Sequence, residues 1–381
     1  MNEYREDKVD GALICHLTSV HARHDTRIFL KECRSLADAG YLVHLIVADG
    51  KGDEINENVR IIDAGASSSR LQRIRHAPQR VLEKALLVDA QIYHLHDPEL
   101  IPIGLALKKA GKRVIFDAHE DVPKQLLGKP YLNRPLRWLL SKVFAQYESW
   151  ACRKLDGVVA ATPFICKKFL SINPNTVNVG NFPMLGELTP PPKIAWSSRA
   201  LQVAYIGGIS KIRGVKELVQ ALPYTSSGAR LKLGGKFSEP EFEKAVKSEA
   251  GWEHVDELGF VNREGVRTVL AESIAGLVTF YPTISHLDAL PNKMFEYMSA
   301  GIPVIASNFP LWQEIIDGSQ CGICVDPLDS RAVAQAIDYL VAHPEEAKSM
   351  GQNGQKSIQE RYNWDMEARK LIAFYRRMMD S

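Results

Sequence analysis

The sequence lacks a long apolar run and an excess of charge of either sign. No run of about 18 or more consecutive apolar residues occurs, and the first ten residues are rich in charge, so we expect neither a membrane span nor a signal peptide. The formal net charge of the 381 residues is +2, from 47 basic and 45 acidic side chains. This balance disfavours a nucleic-acid-binding protein.

Cysteine is also scarce. The six cysteines are scattered along the chain, which fits a reducing compartment, so we expect a cytoplasmic protein. Cys321 and Cys324 have the C-x-x-C spacing of zinc and redox sites. However, residues 322–325 are predicted to form a strand, and residues three apart on a strand point to opposite faces. The pattern therefore disfavours a zinc or redox role.

The chain has no G-x-G-x-x-G fingerprint, although its pattern is that of an α/β protein. Its length indicates two domains. A predicted strand at 13–17, helix at 26–39 and strand at 41–47 indicate a doubly wound parallel sheet. The loop after the first strand contains His21, Arg23 and His24 where a dinucleotide-binding domain has its glycines. This disfavours a nicotinamide or flavin enzyme.

Titratable residues gather where other predicted strands of the first half end. His96 and Asp97 follow a strand at 92–95, and His119 follows a strand at 114–116. In a parallel sheet these carboxyl ends share one edge, so the side chains predict a polar cleft there. A structural hydrogen bond is the alternative for any single histidine.

The second half begins after a proline-rich segment at 181–198, which is typical of an interdomain linker. A predicted strand at 201–206 leads into a turn that contains Gly207, Gly208, Lys211 and Arg213. Glycines permit a close backbone approach, and the cations precede a helix N-terminus, so the turn is suited to an anion. An ordinary strand–helix turn with solvated cations is the alternative.

A polar loop and a short helix, at about 291–300, separate two predicted strands at 275–280 and 304–306. Pro291 is expected in the first helical turn, where free backbone N–H groups can bind phosphate. Asp288 and Glu296 flank this point. For Glu296 alone, a favourable interaction with the helix dipole is the alternative.

The spacing from Asp288 to Glu296, followed by Tyr-Met-Ser-Ala-Gly-Ile-Pro-Val-Ile-Ala-Ser, resembles the donor-site signature of retaining glycosyltransferases of family 4. The resemblance implies the GT-B fold, with two Rossmann-like, doubly wound α/β domains that face each other across a cleft. It implies an acceptor-binding domain at 1–183, with a terminal helix at 363–381 packed back on it, and a nucleotide-sugar donor domain at 184–362. Asp288 and Gly208 depart from the family, which commonly has Glu and Arg there.

The resemblance also implies roles for individual residues. Arg213, which keeps the charge of a family lysine, would contact the donor diphosphate, and Lys211 or Lys293 would replace the charge missing at Gly208. Glu296 would bind the ribose, and His119 would face the donor from the first domain. The candidate donor contacts near the base, the diphosphate and the sugar are Gly207, Gly208, Lys211, Gly259, Phe260, Val261, Asp288, Ala289, Leu290, Pro291, Asn292 and Lys293. A buried core side chain is the alternative for Phe260. The acceptor-side candidates are His21, Arg23, His24, His96 and Asp97.

The resemblance implies a retaining glycosyltransferase. It would move a hexose or N-acetylhexosamine from a nucleoside-diphosphate sugar, preferably UDP-linked, to a glycan or polyprenyl-diphosphate-linked saccharide in the synthesis of a cell-surface polysaccharide such as lipopolysaccharide. The sequence has no D-x-D triplet, the usual ligand set of a metal-bridged diphosphate, so we expect no metal and no other cofactor. A sugar-nucleotide epimerase and an inactive nucleotide-sugar-binding subunit are the alternatives.

Two stretches, 70–84 and 134–154, combine basic with apolar residues, and the second also contains Trp138 and Trp150. A surface of this kind could contact an anionic membrane at the inner face of the plasma membrane. We favour the alternative, that both are amphipathic helices packed on the sheet with solvated charges.

Overall fold

The computed structural model describes residues 11–129, 132–189 and 196–380. The charged first ten residues and part of the predicted linker, 190–195, lie outside the described residues. The chain divides into two compact units. The first unit is Met1–Asn181 with Met366–Ser381, and the second unit is Phe182–Asp365. The sequence prediction placed these two boundaries at 183/184 and 362/363.

The first unit is built on an eight-stranded sheet. Its strands are β1 (Leu13–Leu17), β2 (Leu42–Val47), β3 (Glu54–Asn56), β4 (Val59–Asp63), β5 (Ile92–Leu95), β6 (Arg113–Ala118), β7 (Gly157–Ala160) and β8 (Thr176–Asn178). The order is β3-β4-β2-β1-β5-β6-β7-β8, and every pairing is parallel except β3 with β4. The strand order reverses between β1 and β5, and ligands of open α/β sheets bind beyond the carboxyl ends at such a point.

Helices cover both faces of this sheet. They are α1 (Arg34–Asp38), α2 (Arg70–Val88), α3 (Ile101–Lys109), α4 (Val122–Leu127), α5 (Arg134–Cys152) and α6 (Pro163–Leu170), with a short 3₁₀ turn at Pro98–Leu100. The chain's last helix also belongs largely to this unit, and the buried Tyr375 hydroxyl on it lies 2.7 Å from His94 Nδ1.

The prediction of an α-helix over 26–39 is wrong for the first half of that range. Ile28–Cys33 is a π-helix, and only Arg34–Asp38 is α-helical. The wider π turn lets the Glu32 N–H donate to the Arg27 carbonyl at 2.9 Å, and the two side chains then pair at 3.0 Å. A buried ion pair between residues five apart has no signature in an apolar pattern of helical period, so the sequence could not reveal it.

The second unit has a six-stranded, wholly parallel sheet. Its strands are β9 (Gln202–Ile206), β10 (Arg230–Gly234), β11 (Val255–Gly259), β12 (Ala275–Val278), β13 (Val304–Ser307) and β14 (Gly322–Val325). The order is β11-β10-β9-β12-β13-β14, so the reversal lies between β9 and β12. The loops after these two strands are the glycine turn and the 279–291 segment.

The helices of the second unit follow the predicted alternation. They are α7 (Val215–Ala221), α8 (Pro240–Lys247), α9 (Arg263–Glu272), α10 (Ile284–Leu287), α11 (Asn292–Ser299), α12 (Pro310–Ser319), α13 (Ser330–Ala342) and α14 (Pro344–Glu360), and α15 (Trp364–Asp380) closes the chain. Four 3₁₀ turns occur at Trp196–Ser198, Lys211–Arg213, Leu222–Tyr224 and Ala250–His254.

The parallel strands are apolar along most of their length, as expected for sheets covered on both faces. All four residues of β5, β7, β12 and β13 are buried. None of the described helices is long and apolar enough to cross a bilayer. All six cysteines are free. Cys321 lies directly before β14 and Cys324 lies within it, as expected.

Candidate functional site

The glycine turn after β9 is shaped by two cations that lie against it. A Cβ on Gly207, whose φ is +133°, would lie 3.2 Å from Lys293 Nζ. A Cβ on Gly208 would lie 2.8 Å from Arg213 Nη1. The absence of both side chains therefore lets an ammonium and a guanidinium approach the same short stretch of backbone.

Arg213 folds back over this turn. It ends the 3₁₀ turn Lys211–Arg213, and its Nη1 donates to the Gly208 carbonyl at 3.0 Å. Its guanidinium also lies 5.6 Å from the centre of the Phe280 ring. The guanidinium thus occupies space that a larger side chain at position 208 would need, which gives a physical reason for the glycine there.

Lys293 is the other cation, and it has no hydrogen-bond partner among the described residues. It lies in the first turn of α11 and is only 7% exposed. Its Nζ sits 3.5 Å from the centre of the Tyr205 ring, a favourable cation–π contact. Burial holds the pKa of Lys293 well below its ordinary value, and the charge of Arg213 lowers it further, while Glu296 opposes the shift. Lys211, by contrast, is exposed.

Tyr297 positions the helix that carries Lys293. Its hydroxyl accepts a hydrogen bond from the Ile206 N–H, at the end of β9, at 3.1 Å. Its ring packs on Gly276 in β12, where an added Cβ would lie 2.2 Å from the ring. Because β9 and β12 flank the strand reversal, this one side chain fixes α11 against both strands.

The 288–292 segment begins where α10 ends. Asp288 is half-buried at the end of α10, and the Ala289 carbonyl accepts from Trp312 Nε1 at 2.7 Å. Pro291 is the residue before α11 rather than part of its first turn, which corrects the prediction. The first N–H groups of α11 still follow directly, beginning at the exposed Asn292. Leu290 packs against the core of the second unit.

Glu296 has a partner that the sequence analysis missed. Arg263 Nη1 lies 2.7 Å from Glu296 Oε1, and its Nε lies 2.5 Å from Glu187 Oε1. The available signal was the position of Arg263, a cation at the start of α9 directly after the strand-end segment 259–261. Glu296 is half-buried. The ion pair with Arg263 orients its carboxylate and compensates its charge before any ligand arrives.

The 259–261 segment is open. Phe260 is 76% exposed, so the alternative that it is a core side chain is wrong. Gly259, with a φ of +63°, uses its carbonyl to accept from the Gly235 N–H at 2.6 Å. Val261 is partly buried beside Gly234. An exposed aromatic ring next to a strand end can stack on a planar ligand.

Asp97 anchors the polar edge of the first unit. It is buried, and its Oδ2 accepts from Thr18 Oγ1 at 2.8 Å and from the Ser19 N–H at 2.6 Å. Its Oδ1 lies 3.3 Å from His21 Nε2. The nearby Asp25 and Asp97 raise the pKa of His21 although burial lowers it. Asp97 thus fixes the loop after β1 and orients His21.

His119 lies beside the same edge. Its Nε2 is 2.8 Å from Asp117 Oδ2, and its ring centre is 5.3 Å from that of His21 and 5.5 Å from that of His96. Strand β6 extends to Ala118 instead of ending at 116 as predicted, so Asp117 lies inside it, where it pairs with Arg27 at 2.9 Å. His21, His96, Asp97 and His119 therefore do come together.

Arg23 and His24 do not join this group. Arg23 is 6% exposed and is engaged by Asp49 at 2.7 Å and by Glu54 at 3.0 Å. His24 contacts the same Glu54 at 2.8 Å. The loop after β1 turns these side chains toward the residues that follow β2. The paired residues are about thirty positions apart, so spacing in the sequence does not reveal the contact.

Two family models match the chain. The model described as Glycosyltransferase Family 4 matches residues 26–179, and the model described as Glycosyl transferases group 1 matches residues 190–357. Between them they cover most of both units. The chain belongs to glycosyltransferase family 4. The prediction from the sequence is confirmed for the family, and the two parallel-sheet units are the two α/β domains of the GT-B fold.

Relatives and solved structures agree with this family. This chain is 23% identical over 323 residues to the phosphatidyl-myo-inositol mannosyltransferase of Mycobacterium leprae. The alignment covers 82% of this chain and 80% of that relative. The chain spans about half the length of several other curated relatives that it matches.

Solved structures match nearly the whole chain. Sucrose-phosphate synthase from Thermosynechococcus elongatus superposes with a TM-score of 0.78 at 19% identity, covering 97% of this chain and 99% of that one. The Anabaena protein HepE, solved with UDP and glucose, superposes with a TM-score of 0.71 at 13% identity, covering 95% and 98%. At these identities the likeness establishes the fold of the glycosyltransferase.

Proposed function

We propose that this chain transfers a hexose or N-acetylhexosamine from a nucleoside-diphosphate sugar to a saccharide acceptor, with retention of the anomeric configuration. The observation that carries the proposal is the buried Lys293 ammonium, which points at the glycine turn with no acceptor among the described residues. A buried cation without a counter-charge is unfavourable, so the site is built for an anion that arrives with the ligand.

The diphosphate is the anion that fits. Lys293 and Arg213 both lie against the turn, and the N–H groups at the start of α11 lie next to Lys293. Charge-assisted hydrogen bonds from such groups are the strong ones in phosphate recognition. Lys293 is therefore the better candidate than the exposed Lys211 for the charge missing at Gly208.

The remaining predicted contacts fit a nucleotide sugar around this diphosphate. Glu296 would accept from the ribose hydroxyls, with Arg263 holding its other side. The exposed Phe260 ring would lie against the base. Asp288 and the turn after it would contact the sugar. The presence of UDP in the HepE structure supports a UDP-linked donor.

The chemical step follows from this placement. The bond between the anomeric carbon and the phosphate oxygen breaks, and the acceptor oxygen bonds to the same carbon. The acceptor proton passes to the leaving phosphate. Negative charge grows on the diphosphate as it leaves, and Lys293 and Arg213, already fixed in position, stabilise that charge. Two fixed cations could do so without a metal, and metal independence stays a prediction. The roles of His119 and the acceptor-side residues stay predictions.

We also propose a lipid-linked acceptor and a peripheral contact with an anionic membrane. Helix α5 exposes a row of apolar side chains, among them Trp138 at 59%, Leu139 at 52% and Val143 at 55%. Arg134, Arg137 and Lys142 belong to the same helix. Solvated charges alone would explain a basic face but not exposed tryptophan and leucine. The relative named phosphatidyl-myo-inositol mannosyltransferase supports a glycolipid product. A cytoplasmic location stays a prediction.

Product analysis tests the proposed function. The purified chain is incubated with UDP-hexoses and UDP-N-acetylhexosamines and with polyprenyl-diphosphate-linked saccharides, and products are identified by mass spectrometry. We expect a lengthened saccharide and UDP. Arg213→Ala and Glu296→Ala should lose most turnover, whereas the control Lys216→Ala, which removes a surface pair with Glu249, should not. Near-normal turnover in both site variants would contradict the proposal. So would an epimerised nucleotide sugar, or tight UDP binding without any product.

A further inference from the structure

Three histidines and one glutamate converge in the first unit. His16 in β1 is paired in register with His94 in β5, so the two side chains point to the same face of the sheet. His96 lies two residues beyond His94 and points to that face as well. Glu32 approaches from the π-helix Ile28–Cys33. All four are at most 2% exposed, and π-helical turns of this kind recur at functional sites.

The four candidate ligand atoms of this cluster lie within reach of one ion. Glu32 Oε2 lies 4.0 Å from His16 Nδ1 and 3.9 Å from both His94 Nδ1 and His96 Nε2. His16 Nδ1 and His96 Nε2 are 2.8 Å apart, and all four atoms lie within 4.8 Å of one another. A tetrahedral ion with bonds of about 2.0–2.1 Å separates its ligand atoms by roughly 3.3 Å. The observed separations lie on both sides of that value, and the Glu32 contacts exceed it by about 0.6–0.7 Å, so side-chain shifts of that order would complete the geometry.

Outer partners orient the ligands in the manner of metal sites. His96 Nδ1 lies 3.3 Å from Asp117 Oδ2, which is the carboxylate–histidine arrangement that directs the other ring nitrogen to a metal. Glu32 Oε1 lies 3.0 Å from Arg27 Nε. Tyr375 Oη lies 3.4 Å from His16 Nε2 and 2.7 Å from His94 Nδ1, so on metal binding it would keep only the contact to His16.

Without an ion this cluster is poorly satisfied. Glu32 Oε2, which faces the three imidazoles, is fully buried and has no hydrogen-bond partner among the described residues. Such unmet polar atoms are costly in a protein interior unless another group satisfies them.

We propose that His16, Glu32, His94 and His96 bind a divalent transition-metal ion of the zinc class. Three imidazoles and one carboxylate suit Zn²⁺ or Co²⁺ in tetrahedral geometry, whereas Mg²⁺ and Ca²⁺ prefer oxygen ligands. The ion would link β1, β5 and the π-helix at the strand reversal, and through His96 it would position His119. The expectation of no metal would then hold only for the donor diphosphate.

Refolding with metal tests the site. The full chain, without a histidine tag, is unfolded with a chelator and refolded with Zn²⁺ or with Co²⁺. After dialysis we expect about one tightly held ion per chain, a visible absorption band of the intensity typical of tetrahedral Co²⁺, and a higher apparent Tm with metal than without. These readouts do not depend on transfer activity or on nucleotide binding, so failure here would not affect the proposed function.

Matched variants locate the ion. Glu32→Gln and His94→Gln should lower the metal affinity roughly tenfold or more. The control His44→Gln, at a partly buried histidine on β2 outside the cluster, should hold the ion as the wild type does. The proposal is overturned if the refolded wild type retains no ion, or if both variants retain it as tightly as the wild type. It is also overturned if Co²⁺ in the wild type gives an octahedral spectrum, a readout that remains decisive should a variant fail to fold.

Discussion

Replacing Lys293 by methionine should have opposite effects on the empty protein and on its nucleotide complex. The substitution keeps an unbranched side chain of similar length and removes only the ammonium. In the empty protein that ammonium is 7% exposed, stacks on Tyr205 and has no hydrogen-bond acceptor among the described residues. With a diphosphate present, the same ammonium has the counter-charge that it lacks.

The two effects have comparable size. A buried polar group without a partner costs about 1–3 kcal/mol, so Lys293→Met should stabilise the empty second unit by an amount in that range, reduced by the lost cation–π contact. A charge-assisted hydrogen bond is worth about 1.5–3 kcal/mol, which corresponds to a Kd for UDP that is roughly tenfold to a hundredfold weaker.

Calorimetry and thermal unfolding separate the two effects. The apparent Tm is measured without ligand, and titration calorimetry with UDP gives the Kd. The control Lys211→Met makes the same substitution at an exposed lysine on the glycine turn and should change stability by no more than about 0.5 kcal/mol. A Lys293→Met protein that is less stable when empty and binds UDP as tightly as the wild type would refute the reasoning.

Three further predictions concern single groups. Because burial depresses the pKa of Lys293, its contribution to stability is fully present above the ordinary value of 10.5 and is lost as the pH falls through the lowered value. A bound diphosphate should raise this pKa again, so UDP binding should take up a proton at a pH between the lowered and the restored value. Calorimetry over a series of pH values, in buffers of different ionisation enthalpy, should show the uptake, and zero uptake at every pH would count against the burial argument. Phe260→Ser should leave stability within about 0.5 kcal/mol but weaken UDP binding by about 1–3 kcal/mol through lost stacking. The control Leu258→Ser, in the preceding strand β11, should leave the Kd unchanged, and an unchanged Kd for Phe260→Ser would exclude stacking. Asp97→Ala should lower the apparent Tm, by a free energy of about 1–3 kcal/mol, because the donors of Thr18 and Ser19 lose their buried acceptor; an unchanged Tm would show that the loop is held by other contacts.

Much of the fold followed from the sequence because it depends on local patterns. The apolar runs placed β1 and β5 at their observed bounds, and the alternation of strands and helices predicted two parallel sheets. The segment from Asp288 to Ser307 predicted the family because its residues act close to one another in the fold. Tyr297 joins α11 to β9 and β12, and Glu296 lies one turn from Lys293 on the same helix.

The remainder depended on contacts between distant residues. The sequence named Lys293 only as one of two candidate cations, because its burial under Tyr205 results from tertiary packing. Arg263 was missed because its pairing with Glu296 spans thirty-three positions. Arg23 was grouped with His21 because they are neighbours in sequence, yet its guanidinium pairs with Asp49 on the other side of the loop.

The histidines and the glutamate that cluster in the first unit also could not be grouped from the sequence. His16 and Glu32 lie in segments that were predicted as an ordinary strand and an ordinary helix. Register pairing of β1 with β5 and the π turn bring them together, and neither feature can be inferred from apolar periodicity. The histidine cluster could therefore be recognised only in three dimensions.

The central claim is that the second unit holds a nucleoside diphosphate between Lys293, Arg213 and the start of α11. A crystal structure of the chain with UDP tests this most directly. The account predicts diphosphate oxygens within hydrogen-bonding distance of Lys293 Nζ, with the base beside Phe260 and the ribose at Glu296. A UDP molecule whose diphosphate contacts neither Lys293 nor Arg213 would contradict it.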